Sequence, residues 1–135
     1  MSQHKFRAND HDLVLSWTMD ALANVIDKNV FVADRPYRLR SVESAHTVAG
    51  SDGSAVTLDV KKCTGTQPPA SGTTMLAATI NLKGTANTTQ TPALSATSAD
   101  LALANGDRLA FDVTGTATAV AGLCVTVVLR PTDVV

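Results

Sequence analysis

Between residues 123 and 129 the chain reads Leu-Cys-Val-Thr-Val-Val-Leu, which puts Leu123, Val125, Val127 and Leu129 on one side of an extended backbone. That period of two matches a pleated strand with one buried face, and it scatters apolar side chains around a helix. The same alternation recurs in residues 13–19 (Leu13, Leu15, Trp17, Met19), 55–63 (Val56, Leu58, Val60), 74–83 (Ala78, Ile80, Leu82) and 108–114 (Leu109, Phe111, Val113). Composition agrees. The chain holds 18 Thr and 15 Val but a single Glu, Glu43, where an exposed helical surface would carry many. Turn-forming clusters separate the alternating runs at roughly 8 to 12 residues, the rhythm of an all-β antiparallel sandwich or jelly roll with about eight short strands.

Residues 1–12 (MSQHKFRANDHD) are polar and aperiodic, and are expected to form an N-terminal arm ahead of a jelly-roll domain over residues 13–135. Residues 20–27 allow a short helix capped by Asp20. In residues 37–42, strict alternation predicts Tyr37 and Leu39 on one face with Arg38 and Arg40 on the other. Asn105-Gly106 predicts a hairpin between a short strand at 101–104 and the strand at 108–114. Residues 64–73 contain Pro68-Pro69 and Gly72 and read as loop, as does much of the Thr/Ala/Ser-rich stretch 84–100.

The charge pattern narrows function. A formal net charge of −1 argues against a nucleic-acid partner held by bulk positive charge. No apolar run reaches the ~20 residues of a membrane helix, so no membrane partner is expected. The first twelve residues have no hydrophobic stretch, which predicts synthesis in a cytoplasm without secretory export.

Catalytic and metal-binding patterns are sparse. His4 and His11 fall in the arm and His46 at the end of a strand, where it is expected at the surface. None stands in a metal-ligand spacing, so no metal or other cofactor is expected. There is no nucleophile elbow and no phosphate loop. Asp59 and Asp112 can meet as a carboxylate pair only through the fold, on outward faces. Cys63 and Cys124 both fall opposite the apolar set of their strands. A bridge between them stays open, with two free thiols the plainer alternative. Arg35, Arg38 and Arg40 form the one local basic group, suited either to carboxylates on a partner or to plain solvation. Trp17, the sole tryptophan, is expected to fill the core.

Three segments carry a resemblance: residues 30–44 (VFVADRPYRLRSVES), 105–113 (NGDRLAFDV) and 122–131 (GLCVTVVLRP). They resemble the head-decoration, or cement, proteins of tailed bacteriophages, which have a jelly-roll body. The turn at residues 105–109 is also similar to the late hairpin of tumour-necrosis-factor-like and complement-head jelly rolls, which are trimers. The resemblance spans about 100 residues and implies a non-enzymatic virion protein on the capsid surface. It further implies that the chain is made in the host bacterial cytoplasm and partnered by the major capsid protein and by itself as a homotrimer. On that reading the candidate contacts are His4, Lys5, Phe6 and Arg7 in the arm and Arg35, Arg38 and Arg40 in the body. Two other readings compete: a tail- or fibre-associated jelly roll binding host glycans, and a carbohydrate-active or lectin module. The first predicts exposed aromatics in a groove, the second a metal or a carboxylate pair.

Overall fold

The computed structural model describes residues 11–22 and 27–133. Nine strands run in chain order: β1 (Leu13–Ala21), β2 (Asp27–Val32), β3 (Tyr37–Ala45), β4 (Thr57–Cys63), β5 (Thr73–Thr74), β6 (Ile80–Asn81), β7 (Ala102–Leu103), β8 (Arg108–Thr114) and β9 (Ala121–Pro131). They form two antiparallel sheets. Sheet A has the order β1-β9-β3-β7; sheet B has the order β2-β8-β4-β5, with β6 also on β4. The chain alternates between sheets so that its last two long strands fill the centres of both. That interleaving is the jelly-roll order, and it realises the expected β-sandwich.

The core lies between the sheets. From β9, Leu123, Val125, Val127 and Leu129 are fully buried, as are Leu109 and Phe111 of β8, with Val113 nearly so. Each follows from the alternation, because a one-residue slip would turn the whole apolar set into water. Trp17 is half-buried, its ring set edge-on to Phe111 across the sandwich.

In β3, Tyr37 and Leu39 are buried with Arg38 and Arg40 outside, as the alternation predicts; a bulge between Leu39 and Ser41 then sets Ser41 opposite Val128, with Arg40 in the extra position. Other local expectations are corrected. The Asn105-Gly106 turn is present, with Gly106 at φ +90° and the Asp107 amide donating to the Ala104 carbonyl over 3.0 Å. It makes no β7–β8 hairpin, because β7 pairs with β3 in sheet A while β8 enters sheet B. Instead the turn bonds to the chain after β2: the Gly106 amide donates to the Ala33 carbonyl and the Ala33 amide to the Asp107 carbonyl, each over 2.8 Å.

The strand expected over residues 74–83 is reduced to β5 and β6, two residues each. Ala78 is exposed, while Met75 and Leu76 turn into the core between them. The possible helix at residues 20–27 gives way at both ends to strand, since β1 runs through Ala21 and β2 starts at Asp27; residues 23–26 lie outside the described residues.

Candidate interaction surface

The two outer faces of the sandwich differ. On sheet B, residues 64–72 fold back across the strands. Arg108 donates to the carbonyls of Gly65 (3.1 Å) and Gln67 (2.6 Å), and the Lys61 ammonium donates to that of Ala70 (2.9 Å). Cys63 stands on the outward face of β4, as its parity predicts, but this cover buries it fully. Its Sγ lies 3.8 Å from the Pro68 carbonyl, and burial pushes the thiol pKa up. A Cβ added at Gly72 would come within 2.7 Å of that sulfur, so the closeness of the cover depends on glycine there. Cys124 is half-buried on the outer face of sheet A. Both cysteines are free, and their strands belong to opposite sheets.

The rest of sheet B's outer face is charged. Asp112 stands between Asp59 on β4 and Asp27 on β2 in cross-strand register. The fold therefore joins the two carboxylates singled out from sequence and adds a third. The Lys61 ammonium lies 2.7 Å from the Asp112 carboxylate. Burial, then the side-chain hydrogen bond with Asp112, raises the pKa of Asp27. Burial also raises that of Asp59, against a 2.7 Å hydrogen bond donated by the Thr74 hydroxyl. Among the described residues no group of three or more His, Cys, Asp or Glu is arranged to hold a metal ion.

Sheet A's outer face is bare and nearly uncharged. Across β1, β9 and β3 it shows the rows Val14–Val128–Ser41, Ser16–Thr126–Glu43 and Thr18–Cys124–Ala45. Glu43, the sole Glu of the chain, is the one ionisable carboxylate in these rows. The Ser16 and Thr126 hydroxyls bond to each other over 2.7 Å, so part of this polarity is satisfied within the sheet. A shallow cavity of about 170 Å³ lies beside Ala45 and Cys124, walled by Thr89.

One end of this face is basic. Arg38 stands beside Arg130 in register, with Arg40 exposed at the bulge. Arg38 donates to the Ser98 hydroxyl over 2.9 Å. Arg130 lies 3.7 Å from the Asp12 carboxylate. Arg35, in the loop before β3, is turned to Asp133 instead. The three arginines grouped by sequence thus occupy three different settings, and Arg130, missed from sequence, completes the basic end. Its place depends on the β3–β9 register, which no local pattern reveals. His4, Lys5, Phe6 and Arg7 lie outside the described residues.

His46, expected at the surface, is buried. Its Nε2 bonds the Gly84 carbonyl over 2.8 Å, and its own carbonyl accepts from the Asn87 amide over 2.8 Å. It pins the start of the uncharged stretch to β3. A second cavity of about 240 Å³ is lined by His11, Asp34, Arg35 and Tyr37. There the Tyr37 hydroxyl donates to Asp34 over 2.7 Å, and burial with that bond pushes its pKa up to about 12.

No protein-family model matches the chain, and no curated protein matches it. Among solved structures it is similar to a chain described under Bacillus endospore appendages as a novel family of disulfide-linked pili. The identity is 19%, over 96% of this chain and 98% of that one, with a TM-score of 0.31. Overlap at that level establishes neither a shared role nor common descent.

Proposed function

We propose that this chain is a non-enzymatic structural protein of a virion, a head-decoration protein that binds the capsid exterior and bridges neighbouring capsid subunits. The observation that carries the reading is the contrast between the faces. Sheet B is partly roofed by its own chain and charged, whereas sheet A offers rows of mostly small, uncharged side chains around a shallow cavity, with a basic end. A surface of Val, Ser, Thr and Ala costs little side-chain entropy when covered. Arg40 and Arg130 at its border fit carboxylates on a shell subunit.

Such a protein works by binding energy alone. Each copy that spans two capsid subunits adds its own contact to the work of pulling them apart, and many weak contacts sum over the shell. The residue pattern that resembles phage cement proteins supports the same reading, and the near-neutral charge suits close packing of many copies. Quantitative mass spectrometry of purified virions from the source tests it, with the major capsid protein as reference. A ratio near one-to-one is expected. A ratio of a few per hundred moves the protein to a tail or fibre, where the glycan-binding reading takes over. Absence from the particle overturns the virion reading.

A further inference from the structure

A β-sheet edge is an invitation to another strand, and proteins block it with short strands, bulges, lysines or prolines. In this sandwich, β5, β6 and β7 are two residues each. β2 is broken by a bulge between Asn29 and Phe31 and carries Asp27 and Lys28. β1 is long and unbulged, and its one charged side chain is Asp20 near its end. It runs nine residues, pairs with β9 without a register shift, and contains no Lys, Arg or Pro. Among the described residues it has a strand on one side only.

The core is also open along this edge. The inward side chains of β9 are fully buried, yet Leu13, Leu15, Trp17 and Met19 of neighbouring β1 are only half-buried. An unblocked edge and an unfinished core meet on the same strand.

We infer that β1 pairs with β1 of a second copy, antiparallel across a two-fold axis at Trp17. The sequence is self-complementary in that register. Leu15 falls opposite Met19, Ser16 opposite Thr18, and Asp20 opposite Val14, so every pair matches in character or sets a charge against an uncharged neighbour. Moving the axis one residue, to Ser16, sets Asp20 against Asp12. In the Trp17 register two copies of sheet A fuse into one sheet, apolar side chains from both strands close the core, and the bare outer face doubles in width. The contact is isologous. It goes beyond the capsid reading and differs from the homotrimer that the resemblance implies, which requires unlike patches to meet.

Sedimentation equilibrium of the full chain tests the pairing. A species of about 28 kDa is expected, twice the 14.0 kDa chain. Val14 is 61% exposed, so substitutions there leave the monomer intact, checked by circular dichroism. Val14→Asp sets a second carboxylate against Asp20 at both ends of the pairing and weakens the dimer roughly 2- to 30-fold. Val14→Lys sets opposite charges there and keeps it. Val14→Lys with Asp20→Lys weakens it again. A mass of 14 kDa at every concentration overturns the inference, as does a trimer of about 42 kDa, three times the chain mass. A dimer indifferent to Val14→Asp also overturns it. Capsid binding by a monomeric chain would defeat the pairing and leave the capsid reading standing.

Discussion

Trp17 and Phe111 meet edge to face, ring centroids 5.2 Å apart and planes at 82°, joining the outermost strand of sheet A to a central strand of sheet B. Such aromatic pairs contribute about 0.5–1.5 kcal/mol beyond the area they bury. Trp17→Ala removes the pair and much of the cover over the open side of the core. The expected cost is about 2–4 kcal/mol in urea unfolding, below a fully buried Trp because this one is half-buried. Trp17→Phe is expected to cost less than half of that.

The acidic row on sheet B makes stability depend on pH. Asp27 and Asp59 both have folded pKa values raised above the ordinary 3.8, Asp59 by burial and the more exposed Asp27 by partial desolvation and then by its hydrogen bond with Asp112. A raised folded value means the folded state holds the proton more tightly. The stabilisation this gives is complete below pH 3.8 and is lost as the pH rises through the folded values. At pH 7 both ionised carboxylates therefore oppose folding. Asp59→Asn keeps an acceptor for the Thr74 hydroxyl and is expected to raise the melting temperature at pH 7. The gain is a few tenths of a kcal/mol, since the site is partly open to solvent, and it vanishes near pH 3. Asp27→Asn gives a smaller gain because Asp27 is exposed. Melting curves across pH 3–8 check both.

Lys61 holds the same row together from the other side. It reaches Asp112 and the Ala70 carbonyl at once. Lys61→Met leaves the aspartates facing one another and frees the cover over Cys63, at an expected cost of about 1–2 kcal/mol. Limited proteolysis within residues 64–72 is expected to speed up in this variant.

The two thiols separate by reactivity. Cys63 is fully buried with a raised pKa, so it is expected to resist iodoacetamide at pH 8 in the folded protein. Cys124, half-buried on the outer face of sheet A, is expected to label first. Both label in urea. Peptide mass spectrometry distinguishes them, and early labelling of Cys63 would show that the cover opens readily.

Gly115 tests the loop before β9. Its φ is +94°, and a Cβ there would lie 2.2 Å from the Ala55 carbonyl oxygen. Gly115→Ala meets backbone in a conformation that L side chains avoid, and a loss of about 2 kcal/mol or more is expected. At Gly53 a Cβ meets nothing within 4 Å, so Gly53→Ala makes a near-neutral control.

The long central strands are legible in the sequence because their burial is set by their own alternation; β8 and β9 each put one apolar row in the core. What sequence misses depends on partners far along the chain. Asn105-Gly106 carries a strong local hairpin signal, yet Ala102–Leu103 finds β3 instead of β8, a choice no window of ten residues contains. Arg38 and Arg40 look equivalent until the bulge set opposite Val128 separates them. Cys63 is outward by parity and becomes buried only because residues 64–72 return over it. His46 reads as a surface residue because its partner, the Gly84 carbonyl, lies 38 positions away. The contact surface is the least visible part, since a bare face is defined by what the rest of the chain leaves uncovered.

The jelly-roll order also sets a timetable for folding. Leu13 lies opposite Leu129, and β9 fills the gap between β1 and β3. On a ribosome, β1 and β3 are both complete while the strand that must join them is still unmade. Sheet A therefore cannot form until β9 has emerged, its first residue Ala121 lying 100 positions after β1 ends at Ala21, and it then closes through contacts far apart in sequence, which slows folding. Until then the unblocked edge of β1 is accompanied by a bare edge on β3. The nascent chain is at its stickiest in the interval between completion of β3 and arrival of β9, and crowding many copies on one messenger is expected to favour misassembled products over folded ones at high expression.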